Sequence, residues 1–280
     1  MRICFRNKIL QYLFITIILA TLALYFFTKK RVLDVIIESN SITDIYNYLS
    51  PSDYTKETLI IFDLDNTLIH PEWKHLGSDQ WFYTLTNAYE KQGMSHQQAV
   101  DSVLPLYFQI MAHIWFIPVE ENQTKQVVNY LQKNGVTVIA LTARSLDIVY
   151  RTMEQLDHVG ITFAGYGPTE CPILYGKGKP SLYIHGIIFC GNYNKGEVLA
   201  YWLNKVNYHP KKVIIIDDKL KNILSVEKAL HKRNYPFIGL RYGYLDNHIK
   251  TINQEIIKKE LQEFQKQFPD ARPITPMPAL

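Results

Sequence analysis

The sequence predicts an α/β protein in which helices cover a mostly parallel sheet. Four short apolar runs that end in polar residues are typical of buried parallel strands: 58–65, 136–144, 212–218 and 237–242. Helical stretches lie beside them: 120–133, 145–156, 195–205 and 219–232. This alternation favours an open sheet with right-handed crossovers, whose chemistry lies beyond the carboxyl ends of the strands.

Composition and charge limit the class of protein. The chain has 280 residues, 47% hydrophobic and 20% charged, which is ordinary for one or two globular domains and unlike a disordered or fibrous chain. The net charge is +4, but residues 1–31 carry six cations and no acid, which leaves 24 basic against 26 acidic residues in the rest. The body therefore lacks the basic excess of a nucleic-acid-binding domain, and we expect no nucleic-acid partner.

The N-terminal segment 1–31 predicts a signal anchor or a signal peptide. Residues 9–27 are apolar apart from three polar side chains, and 19 residues of helix span about 28 Å, close to the thickness of the bilayer core. The run is long for a signal peptide and no clear small-residue cleavage site follows, which favours an uncleaved membrane anchor over a cleaved signal. A buried core helix is the third alternative. A basic segment followed by an apolar run favours a main domain that is membrane-anchored or secreted and that faces the periplasm or the exterior.

We expect residues 32–268 to form the main domain and residues 269–280 to form a proline-rich, extended tail. An amphipathic helix is predicted over 246–267, and a loop with a β-hairpin over 160–191. In an oxidising compartment Cys171 and Cys190 could pair, although two buried free thiols are the equal alternative.

An insert over about 69–119 predicts a small helical cap, with helices at 79–93 and 95–114, the second interrupted by Pro105. Ser95 and Gln98 have the spacing of a capping box. Aromatic residues of the insert either pack the cap on the core or stack on a substrate, and packing is favoured: Trp73, Trp81, Phe82, Tyr83 and Tyr89. His70 and His75 are expected at the surface.

Carboxylates follow two of the predicted strands. Asp63 and Asp65 end the first strand, and Asp217 and Asp218 end the third. Brought together at one sheet edge, these charges would repel one another strongly at low dielectric. A divalent cation with oxygen ligands removes the conflict, and Mg²⁺ suits a site of two or three carboxylates completed by water and a phosphate.

Such a site has the components for phosphoryl transfer. A carboxylate near the cation can attack phosphorus and form an aspartyl-phosphate, and a second carboxyl can protonate the leaving alcohol and then activate water. Thr142 and Arg144 end the second strand, and Lys195 begins the helix before the third. The hydroxyl of Thr142 and the charge of Lys195 could stabilise the phosphoryl oxygens.

The constellation resembles the haloacid dehalogenase (HAD) superfamily of phosphohydrolases over residues 57–245. Residues 63–68 look like its DxDxT motif, Thr142 in LTAR like the second motif, Lys195 like the third, and Asp217-Asp218 with Asn222 like the acidic fourth. More narrowly, LTARSLDIVYRTMEQL, FCGNYNKGEVL and LRYGYLD resemble the bacterial DUF2608 group, and class B acid phosphatases are a more distant likeness.

The resemblance implies a HAD-like Rossmannoid fold and a role for each motif residue. Asp63 would be the nucleophile and Asp65 the acid/base. The phosphoryl group would be held by Thr142, Ala143 and Lys195. Mg²⁺ would be held by Asp63, Asp65 through its backbone carbonyl, and a member of the pair Asp217 and Asp218, with Asp218 favoured and Asp217 as its orienting neighbour.

Two functions of different classes follow as expectations, and phosphotransferase or protein-phosphatase activity is a third interpretation within the enzyme class. The first is a Mg²⁺-dependent phosphomonoester hydrolase with a small phosphorylated substrate, attached to a membrane through residues 9–27. The alternative is a membrane-tethered scaffold or interaction protein that keeps the fold with weak or no catalysis. Because dehalogenase-like members lack an acid at the position of Asp65, the resemblance disfavours hydrolysis of a carbon–halogen bond.

Overall fold

The computed structural model describes residues 35–271. The expected N-terminal anchor over 9–27 and most of the proline-rich tail lie outside these residues. Among the helices of the described part, none combines the length and the apolar character that crossing a bilayer requires.

Strands and helices alternate along the described chain. The first half contains β1 (Val35–Ser39), β2 (Thr58–Phe62), β3 (Ile69–Pro71), α1 (Asp79–Lys91), α2 (His96–His113), β4 (Phe116–Pro118), α3 (Thr124–Lys133), β5 (Thr137–Thr142) and α4 (Val149–His158). The second half contains β6 (Ile173–Tyr175), β7 (Ser181–Ile184), β8 (Ile187–Phe189), α5 (Lys195–Lys205), β9 (Lys212–Asp217), α6 (Leu220–His231), β10 (Phe237–Tyr242), α7 (Asp246–Ile249) and α8 (Gln254–Gln267). Short 3₁₀ helices cover Ile42–Tyr48, Pro51–Asp53 and Leu146–Ile148.

Within residues 35–271 the main sheet has the strand order β1-β10-β9-β2-β5-β8-β7-β6. In this order, neighbouring strands from β1 through β10, β9, β2 and β5 to β8 are parallel. The last two pairs, β8 with β7 and β7 with β6, are antiparallel. The prediction of an α/β fold with a mostly parallel sheet is confirmed. The β-hairpin predicted within 160–191 is present as β7 and β8, with β6 as a third antiparallel strand. Because β8 pairs with β5, the hairpin is part of the main sheet.

The central strands are buried on both faces, which is why they are nearly continuous apolar runs. Along β2, Leu59 and Ile61 pack on one side of the sheet with Trp202 of α5, whereas Ile60 and Phe62 pack on the other. The order β9-β2-β5 then places the carboxyl ends of the three motif-bearing strands side by side.

Two helices form the insert between β3 and β4, which pair antiparallel. The capping box of Ser95 and Gln98 begins α2 as predicted. The expected interruption at Pro105 is wrong: α2 continues through it. The lost backbone hydrogen bond is offset by burial of neighbouring apolar residues such as Val103, Leu106 and Ile110.

The single C-terminal helix that was predicted is divided into two helices. Residues 246–267 form α7 and α8, separated by a turn in which Asn253 caps α8 by accepting a hydrogen bond from Ile256 N. Asn residues compete for backbone hydrogen bonds and thereby favour helix ends, which explains the break.

The helices α5 and α6 are in close contact at Gly196. A Cβ atom there would lie 2.0 Å from the backbone oxygen of Ser225. Alanine normally stabilises a helix relative to glycine by about 1 kcal/mol. We expect the opposite sign for Gly196→Ala, a loss of about 1–3 kcal/mol in the free energy of unfolding, because the helices must separate.

Denaturant unfolding of the full chain measures this difference. The matched control is Glu197→Ala, at the next and exposed position of α5, which should change stability by less than about 0.5 kcal/mol. A Gly196→Ala variant as stable as the native chain would contradict the close approach of the two helices.

Candidate active site

Asp63 is the first residue after β2. Its backbone N–H donates to Ile216 O of the neighbouring β9 at 2.9 Å, so the sheet fixes its position. The side chain is buried, and Oδ1 accepts a hydrogen bond from Leu64 N at 2.8 Å. The same oxygen lies 2.8 Å from Nζ of Lys195.

Lys195 is the first residue of α5, which Asn194 caps by accepting a hydrogen bond from Glu197 N. Its ammonium lies between two carboxylates, 2.8 Å from Asp63 Oδ1 and 2.7 Å from Asp217 Oδ2. Burial alone would lower the pKa of Lys195, but the two carboxylates outweigh it and raise the pKa above its ordinary value. The group therefore carries a permanent positive charge inside the protein.

Asp217 holds this ammonium from the far side. It is fully buried, and its two oxygens accept hydrogen bonds from Lys195 Nζ, from Lys219 N and from Asn222 Nδ2. A carboxylate with this many donors is fixed in orientation.

Asp218 has far fewer donors. Its backbone N–H donates to Thr67 Oγ1 at 3.2 Å, and Oδ2 has a long contact of 3.5 Å with Asn66 Nδ2. Its Oδ1 is buried and has no hydrogen-bond partner among the described residues. A buried charged oxygen without a partner is costly, so this atom is suited to a ligand.

The carboxylates of Asp63, Asp217 and Asp218 offer oxygens within 4.8 Å of one another. Burial and the charge of Asp217 raise the pKa of Asp63 to about 7 despite the opposing effect of Lys195. Burial and the charges of Asp63 and Asp217 also raise the pKa of Asp218. One ammonium does not balance three carboxylates. The donor set, hard oxygens with one left unsatisfied, fits a divalent cation such as Mg²⁺.

Asp65 is directed away from this cluster, towards Arg144. The guanidinium donates from Nε to Asp65 Oδ2 at 2.9 Å and from a terminal nitrogen to Oδ1 at 2.8 Å. Arg144 is almost fully buried, and its other terminal nitrogen donates to Thr152 and Gln155 of α4. A bidentate pair held in this way fixes the carboxylate of Asp65 in one orientation.

Sequence reasoning placed Arg144 at a strand end but assigned it no role. The only sequence signal was its position two residues after Thr142. Its partners on α4 come together only in the folded chain, so the clamp on Asp65 was not predicted.

The other residues predicted to bind phosphate lie at the end of β5. Thr142 is fully buried, and its hydroxyl oxygen accepts a hydrogen bond from Arg144 N at 3.1 Å. Ala143, Asp65 and Arg144 line a cavity of about 280 Å³ that extends towards α1 and α2. The structure thus gathers Asp63, Lys195 and the acidic pair in one cluster, and Asp65 at the adjoining cavity.

The loop after β2 is tied to the cap. Asn66 has a φ of 61°, in the left-handed region that Asn tolerates, and its amide donates to Asp79 Oδ1 of α1 at 3.0 Å. Asp79 also forms an ion pair with Lys219, which precedes α6. The start of α1 is therefore bonded both to the loop that carries Asp63 and Asp65 and to the segment that follows Asp217 and Asp218.

The aromatic residues of the insert divide into two groups. Trp81 and Tyr89 are buried in the core, and Trp73 packs edge-on against Phe264 of α8. Phe82 and Tyr83 line the cavity, and Phe82 also packs against the core. The expected packing role is thus met by four of the five.

Two smaller expectations are also resolved. His75 is buried rather than at the surface, because its ring lies against His248 and its backbone N–H donates to Glu260 of α8. Cys171 is exposed and Cys190 is buried, and both are free thiols.

Comparison with known proteins agrees with the narrower resemblance. The model of a family described as "Protein of unknown function (DUF2608)" matches residues 38–272, most of the chain. The chain belongs to the DUF2608 family.

Two relatives of this DUF2608 chain come from Chlamydia pneumoniae, and each bears the name "Putative outer membrane protein". One is 27% identical over 68% of this chain and 70% of its own length. The other is 21% identical over 77% and 81%. A solved structure similar to the chain is a haloacid dehalogenase-like hydrolase from Streptococcus pneumoniae, with a TM-score of 0.41, 14% identity and coverage of 74% and 98%.

The charge imbalance leads to a prediction about Mg²⁺ and pH. The raised pKa of Asp63 means that the metal-free folded state keeps a proton that the unfolded state has lost, so stability falls as pH rises from about 4 to about 7. Mg²⁺ needs ionised carboxylates, so its stabilising effect should grow over this range and raise Tm by several degrees at pH 8.

Thermal unfolding with and without Mg²⁺ measures the effect. Without Mg²⁺, we expect Asp218→Asn to have a higher Tm than the native chain, because its repulsion with Asp63 and Asp217 is removed. We expect Mg²⁺ to change the Tm of this variant little. Asp270→Asn, at an exposed position, should behave as the native chain. An equal Mg²⁺ response in Asp218→Asn and the native chain would show that the ion binds elsewhere.

Proposed function

We propose that the chain is a Mg²⁺-dependent phosphomonoester hydrolase that acts through an aspartyl-phosphate on Asp63. The observation that carries the proposal is the buried cluster in which Lys195 joins Asp63 to Asp217 while Asp218 keeps one unsatisfied oxygen. Buried carboxylates in this arrangement destabilise a fold unless a ligand compensates them, so a functional role explains them better than a structural one.

Asp63, Asp218 and the backbone carbonyl of Asp65 would hold the cation, with Asp217 as the orienting neighbour. When bound, Mg²⁺ would neutralise the phosphate and reduce the repulsion between it and Asp63. Lys195 and Thr142 would hold the phosphoryl oxygens, beside the backbone of Ala143.

In the first step a carboxylate oxygen of Asp63 attacks phosphorus. Since Leu64 N and Lys195 hold Oδ1, Oδ2 is the oxygen proposed to attack. The bond from Oδ2 to phosphorus forms as the bond from phosphorus to the leaving oxygen breaks. Asp65 would release one of its two oxygens from Arg144, carry a proton on it, and give that proton to the leaving oxygen.

In the second step the carboxylate of Asp65 takes a proton from water. The water oxygen bonds to phosphorus, the bond to Asp63 breaks, and inorganic phosphate leaves. Asp63 returns as a carboxylate and Asp65 as an acid. Arg144 acts through Asp65 and is a positioning residue.

For location, we propose that residues 9–27 anchor the chain to a membrane or direct its export. The apolar run and the names of the two Chlamydia pneumoniae relatives support this proposal. A topology reporter fused after Leu280 would test which side of the membrane holds the domain.

Asp63→Asn should lower hydrolysis of para-nitrophenyl phosphate with Mg²⁺ by about 10³-fold or more, because the nucleophile is lost. The assay uses the full chain in detergent, with Asp270→Asn as the control. Borohydride reduction of a rapidly quenched reaction should convert the phosphorylated Asp63 to homoserine. Equal rates in the native chain and Asp63→Asn would favour the scaffold alternative.

Arg144→Gln should lower kcat/KM, which reports the first step, by about 10²-fold for an alkyl phosphate and much less for para-nitrophenyl phosphate, whose leaving group needs no proton. Asp65→Asn should show the same dependence of kcat/KM on the leaving group. Arg144→Lys should recover part of kcat/KM for the alkyl phosphate, because charge returns without bidentate geometry. An equal loss on both substrates would indicate that Arg144 has only a structural role.

A further inference from the structure

The cavity of about 280 Å³ begins at the catalytic loops and ends at the cap. Asp65, Ala143 and Asn192 lie at its base, where β5 and the segment before α5 reach the surface. The residue proposed to protonate the leaving oxygen therefore borders this space. A leaving group attached to that oxygen would extend into the cavity.

On the cap side the cavity is lined by four aromatic rings, Phe82 and Tyr83 of α1 and Tyr107 and Phe108 of α2, together with Asp79, His96, Val100 and Leu104 of the same helices. Phe82 meets Tyr107 edge to face, with ring centroids 5.4 Å apart at 75°. Tyr107 and Phe108 lie 6.0 Å apart at 55°. These contacts hold the rings in place before any substrate binds. All four remain partly exposed, and Tyr83 is 43% exposed. An apolar occupant would gain from covering them.

Two of the cations near the rings, Arg144 and Lys219, are already paired with carboxylates. Arg144 donates to Asp65 and to two residues of α4, and Lys219 pairs with Asp79. Asp65 and Asp79, the acids of these two pairs, line the cavity, so neither pair offers net charge to a charged leaving group. The ammonium of Lys221 lies 5.8 Å from the centroid of the Tyr83 ring and would attract an anionic leaving group. The test below therefore includes a substrate whose leaving group carries a carboxylate.

We propose that the substrate is a phosphomonoester with an uncharged aromatic leaving group, whose ring packs against Phe82, Tyr107 and Phe108. The proposal rests on the function proposed above and narrows its substrate class. Edge-to-face and offset contacts favour an aromatic ring over a saturated one of the same size, because the edge of one ring attracts the face of another.

The test compares phosphates of primary alcohols, so that leaving-group chemistry is similar throughout. With the full chain and Mg²⁺, kcat/KM for benzyl phosphate should exceed that for ethyl phosphate by about 10–100-fold and that for cyclohexylmethyl phosphate by about 3–10-fold. Para-carboxybenzyl phosphate should be slower than benzyl phosphate. Equal values for benzyl and ethyl phosphate, or a preference for the carboxylated substrate, would overturn the proposal.

Substitutions in the cavity locate the preference. Phe82→Leu and Phe108→Leu should each lower the benzyl-to-ethyl ratio about 3–10-fold, since an apolar side chain remains but the ring is lost. Tyr150→Leu removes a ring that is 80% exposed on α4 and outside the cavity lining, and should leave the ratio unchanged. A ratio unaffected by both phenylalanine substitutions would overturn the assignment to this cavity.

Measurements of phosphonate binding distinguish the proposed aromatic preference of the cavity from the proposed hydrolase activity. Calorimetry in Mg²⁺ should show benzylphosphonate binding about 10-fold more tightly than ethylphosphonate, whether or not the chain turns over. Tight benzylphosphonate binding without Asp63-dependent hydrolysis would overturn the enzyme and keep the cavity assignment. Asp63-dependent hydrolysis with equal binding of the two phosphonates would keep the enzyme and overturn the cavity assignment. Absence of binding by both phosphonates would overturn the cavity assignment too.

Discussion

The buried ammonium of Lys195 is the interaction on which the candidate site depends. It lies between Asp63 and Asp217, at the N-terminus of α5, whose first turn packs against α6 at Gly196. A buried lysine is tolerated only when its charge is compensated, and buried carboxylates need a cation equally. The three groups therefore hold one another in place, and the sheet edge, α5 and the start of α6 are fixed together by their charges.

This arrangement assigns different tasks to neighbouring acids. Asp217 has several donors and orients Lys195, whereas Asp218 keeps one buried oxygen without a hydrogen-bond partner among the described residues. Asp65 is separated from them by its pairing with Arg144. Carboxylates that are close in sequence thus differ in environment, and environment rather than residue type determines whether each could attack, bind a cation or transfer a proton.

The sequence was sufficient for the four central strands and for the gathering of Asp63, Lys195 and the Asp217-Asp218 pair, because long apolar runs and their polar ends mark buried parallel strands. It was insufficient where tertiary contacts decide. β1 is short and lies at the edge of the sheet, and Pro105 lies inside a helix stabilised by packing. The Arg144 clamp depends on partners brought together by folding, and periodicity does not distinguish the aromatic rings that line the cavity from those in the core.

The central claim is that Asp63 and Asp218 share a divalent cation inside the protein. Anomalous diffraction from crystals soaked in Mn²⁺, a close substitute for Mg²⁺, tests it most directly. The account predicts a peak within about 2.0–2.3 Å of a carboxylate oxygen from each of these two residues. A peak bound by neither, or no peak at a saturating concentration of the ion, would contradict it.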